Sequence, residues 1–460
     1  MRTENVLLQT LHKRKSDCLI IWRDEEISSS NILALIESYK HFLIDQGIIA
    51  GSVVGLRSDF SPAAIALLII LIEIKAIIVL LPSDDKFINS NITLNNLTEI
   101  AVIEHLVELS PEQKLSYVRL KPKSYPNHYK SLRQADASGL VLFSSGSTGK
   151  PKVIVHNFEL LLQKFKDYRK QLRTVAFLFF DHIGGINTLC ATISANGCLI
   201  IPEERSPDRV FSTIENHCGE LLPTSPSFLR LSLASEVHRR YELKYLKRIT
   251  YGTESMPQSL LNRLNEVFPQ VQFSQTYGLS EIGIMRAKSL ESSSLWVKLG
   301  GEGTQTRVIN GELQIKAPSA MIGYLNAPDP FLKDGWLNTT DRVEVNGEYI
   351  KFLGRSSDII NVGGEKVYPQ EIESLLLTFP NVTDVVVYGK KNPVVGEIVC
   401  AKIQMTTPND KRLQIKQMQQ FCRQHLSPYK IPRIIEIIDT DLSYNARGKK
   451  ERSSLKDSIK

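Results

Sequence analysis

Residues 140–156, LVLFSSGSTGKPKVIVH, run from a hydrophobic strand pattern into a loop of Gly, Ser and Thr that carries two lysines. Small residues let backbone N–H groups converge on an anion, hydroxyls add donors and lysine adds charge, so this residue kit suits a phosphate. It is not the G-x-x-x-x-G-K-[ST] loop, because Gly146 and Gly149 are three apart and Pro151 follows Lys150. A flexible surface turn would explain the Gly and Ser content, but not the preceding strand or the lysines. A second segment, SQTYGLSEIG, sets Tyr277, Ser280 and Glu281 around the small Gly278. It offers an aromatic face, a hydroxyl for a phosphate and a carboxylate for Mg²⁺. Further on, DGWLNTTDRVEV and GRSSDIINVGGEKVYPQEIE hold Asp341 and Arg355, which could meet a ribose or equally serve as ordinary turn chemistry. Near the C-terminus, YNARGKKERSSL sets a Gly beside Lys449 in a basic tail, a pattern that taken alone is a solvated end.

The elements that must position these residues change character along the chain. Strand-like apolar runs recur at 53–56, 77–81, 100–103, 140–143, 176–180, 199–201 and 249–251, with helical patterns between most of them. One such pattern is SNILALIESYKHFLIDQG, with Ser30 as N-cap and Gly47 as stop. This alternation predicts an α/β protein with largely parallel sheets. Past Gly303, TRVINGELQIKAP and DRVEVNGEYIKFLG read as two Asn-Gly hairpins of a small antiparallel β unit. From Ser357 a third texture begins, with helices over 368–377 and 413–424 and strands over 383–388, 399–405 and 433–438. That is enough for an α+β domain of roughly 100 residues.

Composition narrows the function classes. The 460 residues exceed a single small module, and 42% hydrophobic with 23% charged residues is ordinary globular composition. The net charge of +7 is local: residues 111–152 carry eight basic and two acidic groups, and residues 441–460 six and three. Clusters of this kind suit a phosphorylated small molecule, and no nucleic-acid-binding motif accompanies them. The six cysteines form no C-x-x-C pair or zinc spacing and read as reduced, buried thiols. MRTENVLLQT lacks a secretory apolar core, which points to the cytoplasm. The apolar run 63–81 is interrupted by Glu73 and Lys75 and reads as a buried helix followed by a strand, not as an integral membrane segment.

Taken in order, the segments resemble the adenylate-forming superfamily of acyl-CoA synthetases, nonribosomal adenylation domains and luciferases. The resemblance covers about residues 20–455. The family's S-G-T-T-G-x-P-K-G is matched by Ser145 to Lys152, with Val153 in place of Gly, and Y-G-x-T-E by Tyr277 to Glu281, with Ser280 in place of Thr. W-x-x-T-G-D is matched from Trp336 to Asp341, with Thr340 in place of Gly. G-R-x-x-D-x-I is matched from Gly354, with Gly364 in the loop after it, and G-K-x-x-R by Gly448, Lys449 and Arg452.

The resemblance implies a large N-terminal domain, 1–356, of packed mixed sheets with helices plus a small β subdomain, and a small mobile α+β lid, 357–460. It also implies a reaction in which a small carboxylic acid and ATP give an acyl-adenylate and pyrophosphate, and a pantetheine thiol then takes the acyl group. Catalytic residues by this resemblance are Lys449, Glu281, Lys152 and His182. Ser144, Ser145, Gly146, Ser147, Thr148, Gly149 and Lys152 would hold the β- and γ-phosphates. Gly252, Thr253, Glu254 and Tyr277 would line the adenine site, Gly278 would belong to the ATP/AMP-binding set, Ser280 would meet the α-phosphate, Asp341 and Arg355 the ribose, and Glu281 the Mg²⁺. Phe180, Asp181, His182 and Gly185 fall at the acyl pocket, Ser357 at the hinge and Gly364 at the thiol tunnel. Asp181 leaves an amino acid open as substrate, although the run continues H-I-G-G in a way that favours a non-amino acid. The acceptor is CoA or a separate acyl-carrier protein. A catalytically silent nucleotide-binding relative is the competing reading, opposed by the presence of Lys449, Glu281 and Asp341.

Overall fold

The computed structural model describes residues 5–14, 18–85, 93–144, 151–166, 170–301, 303–406 and 410–438. The core forms around the helix Pro62–Glu73. Its N-terminus is fixed by Ser61, whose hydroxyl accepts from the Ala64 amide at 3.1 Å, and by Pro62 at the first helical position. Every residue from Pro62 to Ile72 is buried, as a helix apolar on all sides requires. Lys75, just past its end, pairs with Glu159. Among the described residues no helix is long and apolar enough to cross a membrane.

Two seven-stranded sheets share the apolar cluster that holds this helix. In the first, the strands Gln272–Gln275, Arg248–Tyr251, Leu221–Thr224, Arg173–Val175, Cys198–Ile201 and Cys18–Trp22 run parallel, and Glu25–Ser28 closes the edge antiparallel. The second is parallel at its centre, through Gly139–Ser144, Ile77–Leu81, Val53–Arg57 and His105–Leu109, with antiparallel strands at both edges. Ile78 and Leu80 face the shared core, while Ile77, Val79 and Leu81 face a separate cluster with Leu97 and Tyr129. Helices cover both faces, so the strand reads as a continuous apolar run.

A third, antiparallel sheet follows, holding Tyr277–Leu279, Gly283–Ser289, Val297–Gly300, Tyr349–Arg355, Leu337–Asn346, Glu312–Lys316 and Gln305–Ile309 in that order. The first Asn-Gly turn is as expected: Ile309 pairs with Glu312, and Asn310 and Gly311 take φ of 52° and 78°. At the second, Asn346 itself pairs with Tyr349, so the two-residue loop is Gly347-Glu348, one residue later than the sequence pattern suggests. Residues 360–438 build another sheet around the hairpin Val382–Asn392 and Gly396–Met405, with the helices Pro369–Leu376 and Lys411–His425 on its own apolar cluster. Arg230 and Asp384, 2.6 Å apart, tie this unit to the first sheet's helices.

Two expected strands shift. Residues 100–103 finish a helix and a turn, and the strand is His105–Leu109. The run 176–180 follows the strand Arg173–Val175 as a turn, its apolar residues divided between the core and a cleft wall. The helix at 29–45 is capped by Ser28, two residues before the expected Ser30.

Candidate active site

The C-terminal ends of the parallel strands open into a cleft of about 2790 Å³ between the first two sheets, the antiparallel sheet and the C-terminal unit. Parallel sheets commonly place their sites at these strand ends, where loops project free of the ladder. After Arg248–Tyr251 the chain turns through Gly252, Thr253 and Glu254, all lining the cleft. A Cβ at Gly252 would sit 2.5 Å from Thr276 Oγ1, so the close passage of these two strand ends demands glycine. The Ser227 hydroxyl donates to Glu254 Oε2 at 2.6 Å.

The antiparallel sheet brings its signature residues together by register. Asp341 and Arg355 are direct cross-strand partners, and Arg355 Nε donates to Asp341 Oδ1 at 3.1 Å. The Tyr277 hydroxyl donates to Asp341 Oδ2 at 2.6 Å, and the Tyr277 ring stacks on Phe352 at 4.6 Å. Burial, with the adjacent Asp341 carboxylate, raises the Tyr277 pKa and keeps its hydroxyl a donor. A flat, partly buried aromatic surface thus lies beside a carboxylate whose orientation is fixed from two sides.

Glu281 is held by a different sheet. The short strand Gly323–Tyr324 pairs with Lys152–Asn157, and the Tyr324 hydroxyl donates to Glu281 Oε1 at 2.6 Å. Lys152 Nζ lies 4.9 Å from the centre of the Tyr324 ring, so lysine and carboxylate flank one tyrosine. Behind them His156 is fully buried, and its Nε2 meets the Ser280 carbonyl at 2.6 Å. Burial pushes the His156 pKa down to about 4, leaving a neutral ring that donates from Nε2. Ser144 and Lys152 pair at the ends of their strands and both line the cleft. Ser145, Gly146, Ser147, Thr148 and Gly149 between them, and Lys449 in the tail, lie outside the described residues.

Another part of the cleft lining is apolar. Phe177, Leu178, Phe179, His182, Ile183, Gly184 and Phe228 line it, and the Phe177 and Phe228 rings are 4.3 Å apart. Arg205 is clamped to Asp59 through contacts of 2.7 and 2.9 Å, with its guanidinium 4.2 Å from the Phe179 ring centre. His182 caps the helix Ile183–Ser194, its Nδ1 accepting from the Gly184 amide at 3.2 Å. The other residues expected here sit behind the wall. Phe180 is buried edge-on against Phe60, Asp181 is buried, and neither lines the cleft. Gly185 also stands off it: a Cβ there would lie 1.9 Å from the Phe179 carbonyl, so its part is to let the 178–182 turn press onto the helix. Ser357 borders the cleft in an exposed turn, whereas Gly364 lies away from it, in a two-glycine turn with φ of 61° and 91° at Gly363 and Gly364.

Sequence reasoning missed Tyr324, Phe352 and Ser227, which carry no motif and enter only through strand pairing or a helix start. His156 lies inside the first segment singled out, but its link to Ser280 spans 124 residues. As to metal, no group of three or more His, Cys, Asp or Glu among the described residues could chelate an ion. The donor set fits one carboxylate oxygen from Glu281 completed by phosphates and water, the usual arrangement for Mg²⁺.

Fold and cleft together define an adenylate-forming enzyme. The chain belongs to the family of AMP-binding enzymes, which matches residues 33–325, with the AMP-binding enzyme C-terminal domain over 371–449. It is an ATP-dependent, AMP-forming acid–thiol ligase. Among similar curated proteins, a 2-succinylbenzoate–CoA ligase of Bacillus subtilis is 26% identical over 381 residues, 78% of this chain and 76% of that protein. An indoleacetate–CoA ligase of Aromatoleum aromaticum is 27% identical over 345 residues, 69% of this chain and 66% of that protein. Among solved structures, an anthranilate CoA ligase in complex with anthranoyl-AMP shares the fold with a TM-score of 0.80 at 20% identity, covering 98% of this chain and 96% of that one.

Proposed function

We propose that the chain activates an aromatic, non-amino carboxylic acid and delivers it to CoA. The observation that carries this reading is the continuity of one cleft from the Phe177–Phe179 and Phe228 wall to the Tyr277, Asp341 and Glu281 cluster. An aromatic acid laid along that wall directs its carboxylate toward the groups suited to a nucleotide. The names of the similar curated ligases, which act on 2-succinylbenzoate and indoleacetate, support an aryl substrate and CoA as acceptor. Asp181 lies buried off the cleft, which speaks against its holding a substrate ammonium.

A carboxylate attacking an anionic phosphate gains most from charge neutralisation and alignment. Lys449 would bridge the acid and the α-phosphate, and Ser144 to Gly149 with Lys152 would hold the departing pyrophosphate. Asp341 and Arg355 would orient the ribose, Gly252 to Glu254 and Tyr277 the adenine, and Ser280 the α-phosphate. Glu281 would give Mg²⁺ one ligand, and a bound Mg²⁺ supplies charge for the phosphates. Turning of the C-terminal unit, 357–460, about Ser357 would then withdraw Lys449 and bring the Gly364 turn to the thiol path. In support, Gly364 now faces away while Glu371, Ser374 and Lys430 of the same unit border the cleft. ATP–pyrophosphate exchange across aryl, fatty and amino acids tests the proposal: exchange should depend on an aryl acid, and exchange supported best by an amino or long-chain fatty acid would overturn it.

A further inference from the structure

Within the cleft lining, the helix Ile183–Ser194 presents Ile183, Asn187, Thr188, Ala191 and Thr192, one face at helical spacing. The Thr188 hydroxyl donates to the Gly184 carbonyl and the Thr192 hydroxyl to the Thr188 carbonyl, both at 2.8 Å, so neither has a proton left for a ligand. Asn187 differs. Lys164 Nζ donates to Asn187 Oδ1 at 2.6 Å and to the Ile284 carbonyl at 2.7 Å. An ammonium has donors only, so this contact fixes which way the amide points: oxygen toward Lys164, NH₂ away from it. Ile284 also lines the cleft, and the oriented amide shares one helix face with the apolar lining residue Ile183, against which the acyl part of the proposed acid would rest.

We infer that Asn187 is a specificity-determining donor, held by Lys164 as a positioning residue, and that the natural acid carries an acceptor oxygen (hydroxyl, keto or second carboxylate) remote from the carboxylate that is activated. The inference rests on the aryl-acid reading and narrows it. A site with a fixed donor discriminates against a ligand that leaves the donor unpaired, and one neutral hydrogen bond is worth roughly tenfold in kcat/KM.

The test compares matched aryl acids differing only in a distal oxygen substituent against methyl, in ATP–pyrophosphate exchange and in equilibrium binding by calorimetry. The native enzyme should prefer the oxygenated member by roughly tenfold. Asn187→Leu should bring that ratio close to one. Asn187→Asp, which replaces the donor by an acceptor of the same shape, should invert it for a keto or carboxylate substituent, whereas a hydroxyl, able to donate to Asp, should keep its preference. Lys164→Met should lower the ratio by freeing the amide to turn, a change that general destabilisation would not produce. An unaltered preference in Asn187→Leu and Asn187→Asp overturns the inference while leaving the aryl-acid reading intact. Loss of exchange with every acid in the native enzyme overturns that reading instead, and the calorimetric ratio still decides the role of Asn187.

Discussion

Glu281 is placed by partners far from it in the chain. Its carboxylate is oriented by Tyr324, which holds one oxygen, and the chain before it is pinned by His156 through the Ser280 carbonyl. The motif pointed to Glu281 and Ser280; the supports come from a strand pairing and from a histidine 124 residues away, distances over which a sequence carries no spacing signal. The same holds for the apolar lining, where the F-D-H-I-G-G run was legible as a region. Which side chains face the cleft was not, because the turn directs Phe179 and His182 outward and Phe180 and Asp181 inward. His156 also makes stability depend on pH. Its pKa is near 6.5 unfolded and about 4 folded, so below 6.5 the unfolded chain takes up a proton that the native ring refuses. Stability therefore falls as pH drops from 6.5 toward 4, by on the order of 3 kcal/mol from this group. Urea unfolding midpoints at pH 7 and 4.5 should drop less in His156→Gln, which keeps an N–H donor without the titration. An equal drop in both proteins would remove His156 as the source.

Elements account for most of what could be read in advance. The buried helix Pro62–Glu73, the parallel strands at 53–57 and 77–81 and the first Asn-Gly hairpin follow from capping, period and turn chemistry that act within a few residues. The run 176–180 misled because an apolar sequence fits a cleft wall as well as a strand. Within the strand Leu337–Asn346 one local rule is broken. Thr340 has φ of 60°, a left-handed conformation that costs a β-branched residue about 1–2 kcal/mol. The amide of Thr340 is satisfied by Asn338 Oδ1 at 3.1 Å, and the kink precedes the buried Asp341 that meets Tyr277 and Arg355. Thr340 is exposed, so Thr340→Gly loses little packing. It should stabilise the protein by up to about 1 kcal/mol after the greater freedom of the unfolded chain is counted. Thermal unfolding checks this, and a lower midpoint would show that the hydroxyl or methyl of Thr340 supports the kink.

For the whole molecule, the proposed turning would let the position of the C-terminal unit select which half-reaction the cleft performs. Arg230 and Asp384 bind it to the large domain at 2.6 Å, and Asp384 is buried, so parting them exposes a desolvated pair to the cost of separation. The orientation they hold places Glu371, Ser374 and Lys430 at the cleft and keeps Gly364 away. If this is the adenylating arrangement, Arg230→Met should slow acid-dependent pyrophosphate exchange roughly tenfold, the scale of about 1.4 kcal/mol lost from one arrangement. Thiolysis of a supplied acyl-adenylate should be unchanged or faster, and equal loss in both half-reactions would show instead that the pair serves general stability. Formation of an acyl-adenylate in this cleft can be read in a single turnover with α-phosphate-labelled ATP, Mg²⁺ and an aryl acid in the absence of thiol. The expected result is one labelled acyl-AMP per enzyme with release of pyrophosphate, discharged to AMP when CoA is added. Formation of ADP, or of AMP at a rate independent of the acid, would contradict it.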